Sequence, residues 1–116
     1  MTAATFRRLA LDLPEAVESA HMGHPDFRVG GKIFATLDAP TKGWAMVRLA
    51  LADQARLLAT APGVFVPAAG AWGRAGATLV KLRKADRAVV RRALDAAWRD
   101  RAPAALVAEA DTPGPD

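Results

Sequence analysis

No cysteine occurs anywhere in the 116 residues. Its absence excludes a disulfide framework, a thiolate nucleophile and a cysteine-ligated metal centre, and is compatible with a cytoplasmic location. Nor is there an apolar run near the ~20 residues that a membrane helix needs. The opening residues, Met1-Thr2-Ala3-Ala4-Thr5-Phe6-Arg7-Arg8, lack the order of a signal peptide: a basic segment, an apolar block and a small-residue cleavage site. The expected location is the cytoplasm, with no membrane partner. Ser19 is the sole serine. It has no nucleophile-elbow motif around it, so a Ser–His hydrolase is not expected. His21 and His24 are the only histidines. On a helix their spacing would place two imidazoles on one metal, but Gly23 and Pro25 break the segment and only Asp26 follows closely as an acid. No metal site and no cofactor are expected; the two histidines read as parts of a capped turn and a hydrogen-bonded loop.

What is present is a modest apolar core and a surplus of positive charge. Hydrophobic residues make up 52% of the chain, but alanine supplies many of them, so the core rests on relatively few large side chains. The length suits one domain, able to bury about two-thirds of the surface its unfolded chain exposes. Net charge is +4 and the isoelectric point about 10.3. Such a balance permits attraction to nucleic acid or another anionic surface.

Phe6, Leu9, Ala10 and Leu13 fall at helical spacing, which predicts a helix from Thr2 to about Asp12 that ends before Pro14. Glu15 to Gly23 reads as a connector with room for a short strand. Phe27 to Val29 and Lys32 to Leu37 read as strands joined by Gly30-Gly31, whose freedom at positive φ suits a tight primed turn. That register sets Val29 opposite Lys32, Arg28 opposite Ile33 and Phe27 opposite Phe34. It makes the two phenylalanines a core pair and places Arg28 and Lys32 on opposite faces. After an Asp38–Gly43 turn comes a third strand, Trp44 to Leu49. A helix from Ala52 to Ala61 follows, with Asp53 in its first turn or at its cap. Pro62-Gly63 stops it. Val64 to Val66 is a short strand, Ala68 to Gly76 a loop, and Ala77 to Leu82 the last strand. The longest helix spans about Ala85 to Arg101, burying Val89, Val90, Ala93, Leu94, Ala97 and Trp98. Ala104 to Glu109 adds a last turn, and the Pro/Gly-rich end is expected to fray. The expected architecture is a single α+β domain over residues 1–108, with an antiparallel sheet and helices packed on it in the order α-β-β-β-α-β-β-α, and a flexible tail over 109–116.

Catalytic residues are not expected. Glu15, Glu18, Asp26 and Asp38 lie in connectors or turns, and nothing sets two of them across a cleft. Gly30-Gly31 leads into a strand and not a helix, so it is no phosphate cradle; Gly70 to Gly76 also leads into a strand. The basic residues carry more. Arg28, Lys32, Arg48, Arg74, Lys81, Arg83 and Lys84 fall on strands, turns or their ends, with Trp44 and Trp72 close by. Cations on a sheet with an exposed aromatic are one way to grip phosphates and stack on a base. On the last helix, Arg87, Arg91, Arg92, Arg99 and Arg101 outnumber the acids, while Trp98 reads as packing.

Leu13-Pro14-Glu15, the His21–Pro25 segment and the run Phe27-Arg28-Val29-Gly30-Gly31-Lys32-Ile33-Phe34-Ala35 resemble the first half of the MmcQ/YjbR family of small bacterial proteins. Pro62-Gly63-Val64, Trp72-Gly73, the strand to Leu82 and the helix Ala85 to Arg101 fit its second half. The resemblance covers about residues 2–106. It implies a single α+β domain similar to type III secretion chaperones, no enzyme activity, and a DNA-binding role in which strand hairpins act as wings. Where many members carry Asn-Lys-x-x-Trp, this chain has Ala68-Ala69-Gly70-Ala71-Trp72. The expected function is therefore weak, largely sequence-nonspecific DNA binding through Arg28, Lys32, Arg48, Trp72, Arg74, Lys81, Arg83 and Lys84. The alternative is a protein-interaction or homodimerising module.

Overall fold

The periodic segments fold as the spacing dictates. In the computed structural model, which describes residues 1–112, α1 spans Ala3–Leu11, capped by the Thr2 hydroxyl accepting from the Thr5 amide, and buries Phe6, Leu9 and Ala10. Four strands follow: β1 Val17–His21, β2 His24–Val29, β3 Lys32–Leu37 and β4 Trp44–Arg48. Next come α2 (Leu51–Thr60), β5 (Phe65–Pro67), α3 (Gly70–Arg74) and β6 (Ala77–Lys81). A 3-10 turn at Leu82–Lys84 leads into α4 (Arg87–Arg101), and α5 runs Ala104–Asp111. All strand pairs are antiparallel, in the order β1-β2-β3-β4-β6-β5.

The expected α+β class holds, with three additions. The Glu15–Gly23 connector contains a full strand, because Met22 and Gly23 both adopt positive φ and close a two-residue hairpin onto β2. The Ala68–Gly76 loop contains α3. Its Gly73 is needed where it lies: a β-carbon there would sit 1.9 Å from the Ala68 carbonyl oxygen. The chain after Pro103 forms a two-turn helix as far as Asp111, whose carboxylate accepts from Arg99 at 2.7 and 2.8 Å. Of the segment expected to be flexible, Glu109 to Asp111 is thus helical, and residues 113–116 lie outside the described residues.

The hairpin register departs from expectation at one point. Val29 faces Lys32 and Arg28 faces Ile33 as expected, but Phe27 pairs with Ala35 and not with Phe34. A bulge inserts one extra residue into β3 there. Both phenylalanines are still fully buried, and Phe27 meets Phe6 edge-on at 6.2 Å between ring centres.

Alternation then separates the two faces of the sheet. Phe27, Val29, Ala35, Leu37, Ala45, Val47 and Val80 point into the core with Phe6, Leu94 and Trp98. Helices α1 and α4 lie across β3 on this side, and α2 adds Leu57 to the same core. The Trp98 indole N–H donates to the Pro14 carbonyl at 3.0 Å, tying α4 to the end of α1. The three long helices thus share one face. The other face carries Val17, His21, Asp26, Arg28, Ile33, Thr36, Met46 and Leu79.

Candidate functional site

Among the described residues, Asp26 is the charged residue that the fold buries completely, and it does so on the face without the long helices. Two partners close over it. Arg28, two residues along the same strand, donates from Nε to Oδ1 at 2.8 Å and from Nη2 to Oδ2 at 3.0 Å. His21, from the other side of the Met22-Gly23 turn, brings Nδ1 to 2.7 Å from Oδ2. The Arg28 hydrogen bonds hold the Asp26 carboxyl below its ordinary range, burial opposes them, and His21 adds to the lowering. The same bonds raise the Arg28 guanidinium above its usual value.

A buried carboxylate that orients an imidazole is half of a general-base arrangement. The other half is missing from the site. Ser19 lies opposite Asp26 across the β1–β2 ladder, but no hydrogen bond joins it to His21. The ring centres of His21 and His24 are 6.3 Å apart, and among the described residues no three His, Cys, Asp or Glu side chains gather as metal ligands. The geometry is that of a clamp across the first hairpin.

Arg28 is therefore committed to Asp26. The register divides the other expected site residues between the two ends of the sheet. At the end where β4 starts, Trp44 pairs with Lys81, and Arg83 and Lys84 follow on the 3-10 turn. At the end where β4 finishes, Arg48 pairs with Ala77; Lys32 at the hairpin tip, Trp72 and Arg74 belong there too. Arg48 lines a depression of about 270 Å³ with Ala71, Trp72 and Ala75. Burial, and then Arg101, depress its guanidinium, while Asp100 acts the other way. Trp72 is 68% exposed. The eight residues do not make one surface.

The Trp44 end gathers more cations than expected. The Leu82 amide donates to the Gly43 carbonyl at 3.1 Å, which holds the β3–β4 loop, with Lys42, against the 3-10 turn. The Lys81 ammonium sits 5.7 Å from the Trp44 ring centre, a cation–π distance. Arg87 opens α4 after two extended residues, Ala85 and Asp86. Lys42, Arg83, Lys84 and Arg87 are all exposed, and among the described residues none of these four forms an ion pair. The acids nearby are Asp38, half-buried in the β3–β4 loop, and Asp86, whose carboxylate caps α4 by accepting from the Val89 amide at 2.9 Å. Lys42 escapes a reading of the sequence because a Lys-Gly turn looks like any solvated loop; only the contact with Leu82 brings it to the other cations.

A second basic region lies between α2 and α4, in a groove of about 790 Å³ lined by Arg56, Arg91, Arg92 and Arg99 together with Asp53, Asp95 and Asp100. Here most charges are spoken for: Arg56 pairs with Asp53, and Arg99 with Asp95 and Asp111.

Among the described residues, no helix is long and apolar enough to cross a membrane. No curated protein and no solved structure shows a significant match to the chain. The YjbR family model matches residues 11–100, which takes in every strand and all but the last residue of α4. The chain belongs to the YjbR family.

Proposed function

We propose that the protein binds nucleic acid weakly and without sequence preference, through the Trp44 end of the sheet. Lys42, Lys81, Arg83, Lys84 and Arg87 are the contacting groups. The observation that supports this reading is the Leu82–Gly43 hydrogen bond, which joins two separate basic segments into one cationic edge. Exposed, unpaired ammonium and guanidinium groups contact phosphate oxygens and displace condensed counterions, a term that needs no base readout. Trp44 serves as the platform for Lys81. Arg28 has no part in binding, because Asp26 neutralises it. Lys32, Arg48, Trp72 and Arg74 are at the far end.

Fluorescence anisotropy with labelled duplex and single-stranded DNA at two salt concentrations tests the reading. Four or five phosphate contacts give a log–log salt slope of about −4 and a dissociation constant on the order of 10⁻⁴ to 10⁻⁶ M at physiological salt. The double variant Arg83→Ala/Lys84→Ala is expected to weaken binding to all sequences alike and to reduce the slope by about 2. Trp72→Ala/Arg74→Ala is expected to leave affinity and slope unchanged. The reading fails if the intact protein does not bind at low salt, or if the second variant, and not the first, abolishes binding.

A further inference from the structure

We propose that β1 is the surface through which two copies of this chain pair, antiparallel about a twofold axis at Ser19, so that two six-stranded sheets become one. The two edges of the sheet, β1 and β5, are unequal, and neither is part of the cationic region around Trp44. The β5 edge is three residues long and ends in Pro67, features that blunt an edge against further pairing. The β1 edge is five residues, Val17-Glu18-Ser19-Ala20-His21, with no proline, lysine or bulge, and its first four residues are exposed. Val17 alone is 58% exposed. One open edge and one blocked edge favour a closed dimer over a filament.

The register determines which groups are free. Met22 and Gly23, at φ 48° and 81°, form a two-residue primed turn, which makes His21 and His24 a hydrogen-bonded pair. Alternation along the ladder then bonds Ser19 and Val17 inward to Asp26 and Arg28 and turns the N–H and C=O groups of Glu18 and Ala20 outward. Pro25, which has no N–H, sits opposite Ala20, at a position that donates nothing to β1. A second β1 laid antiparallel matches this pattern on itself. Glu18 bonds with Ala20 of the other copy, Ala20 with Glu18, and the two Ser19 residues meet between them as a non-bonded pair. No like charges stand opposite one another. Glu18 stays neutralised by Arg7, whose Nε lies 2.9 Å away, and Val17 lies across from the His21 ring of the other copy.

Disulfide trapping tests the axis directly, because the chain has no other cysteine. Opposed side chains in a non-bonded pair have β-carbons about 4.5–5.5 Å apart, close enough for Ser19→Cys to cross-link under mild oxidation with small adjustment. Val17→Cys, whose counterpart lies four residues along the partner strand, about 13 Å away, is expected not to cross-link. Sedimentation velocity over rising concentration is expected to show a reversible dimer in the intact chain. Ser19→Lys, which sets two ammonium groups at the axis, and Ala20→Pro, which removes an outward N–H, are expected to give a monomer with an unchanged circular dichroism spectrum. Should Ala20→Pro disturb the fold, Ser19→Lys carries the test alone. A chain that remains monomeric up to about 1 mM, or a dimer that survives Ser19→Lys and cross-links no better through Ser19→Cys than through Val17→Cys, overturns the proposal.

Discussion

The two faces of the sheet bury their residues by different means. On the helix-packed face, burial is the work of a second layer: Phe6, Phe27, Phe34, Leu94 and Trp98 fill the space between strands and helices. On the other face, two polar side chains, Asp26 and Thr36, are as buried as any core residue with no long helix above them. There the Asp26 carboxylate is held by the side chains beside it, the Arg28 guanidinium and the His21 ring. The first mechanism depends on apolar volume and shape. The second depends on an ion pair, and so on pH and on a few named atoms.

Removing volume from the helix-packed face should cost most. Trp98→Ala is expected to destabilise the fold by about 3–5 kcal/mol, measured by urea unfolding, since it empties the largest buried side chain and releases its bond to Pro14. Asp26→Ala should cost less, about 2 kcal/mol, because Arg28 and His21 are each about a third exposed and regain water when the carboxylate goes. That loss should also depend on acid. The folded Asp26 carboxyl lies below its ordinary value of 3.8, so its contribution is fully present above about pH 4 and fades as pH falls through the folded value. The intact chain should therefore lose stability below about pH 4 more steeply than the variant does. The smallest effect belongs to Thr36→Val. The buried Thr36 hydroxyl has no hydrogen-bond partner among the described residues, so replacing it with a methyl group should be neutral or stabilising by up to about 1 kcal/mol. If Trp98→Ala and Asp26→Ala cost the same, the contrast between the faces breaks down.

Periodicity made most of the helix-packed face legible. The stripe Val90, Ala93, Leu94, Ala97 and Trp98 could be read from a 3.6-residue repeat because burial there follows one helix against one sheet. Only Val89 of the expected set is partly open. The open face was not legible in the same way. Asp26 in a connector and Arg28 on a strand look like separate surface charges until β1 exists, and β1 rests on Met22 taking positive φ, an unusual choice for that side chain. The Phe27–Phe34 pairing failed on one bulged residue, which no composition signal marks. The cationic groups were visible one by one, but their division between two sheet ends follows from register, and the addition of Lys42 from a single contact between loops. The family resemblance seen in the hairpin and the closing helix was borne out; by itself it assigned no residue to a site.

Gly30 and Gly31 look interchangeable in the sequence, and both take positive φ. They differ in surroundings. A β-carbon on Gly31 would meet nothing within 4 Å, whereas one on Gly30 would lie 3.0 and 3.1 Å from Cδ and Cγ of Pro103, at the α4–α5 junction. The hairpin tip is thus seated on the C-terminal part of the chain and is not a free arm. The two positions should accordingly drift at different rates. Gly31 has one constraint, which asparagine also meets; Gly30 has two, and the second is shared with a residue more than seventy positions away, so that Gly30 and Pro103 are expected to change together or not at all.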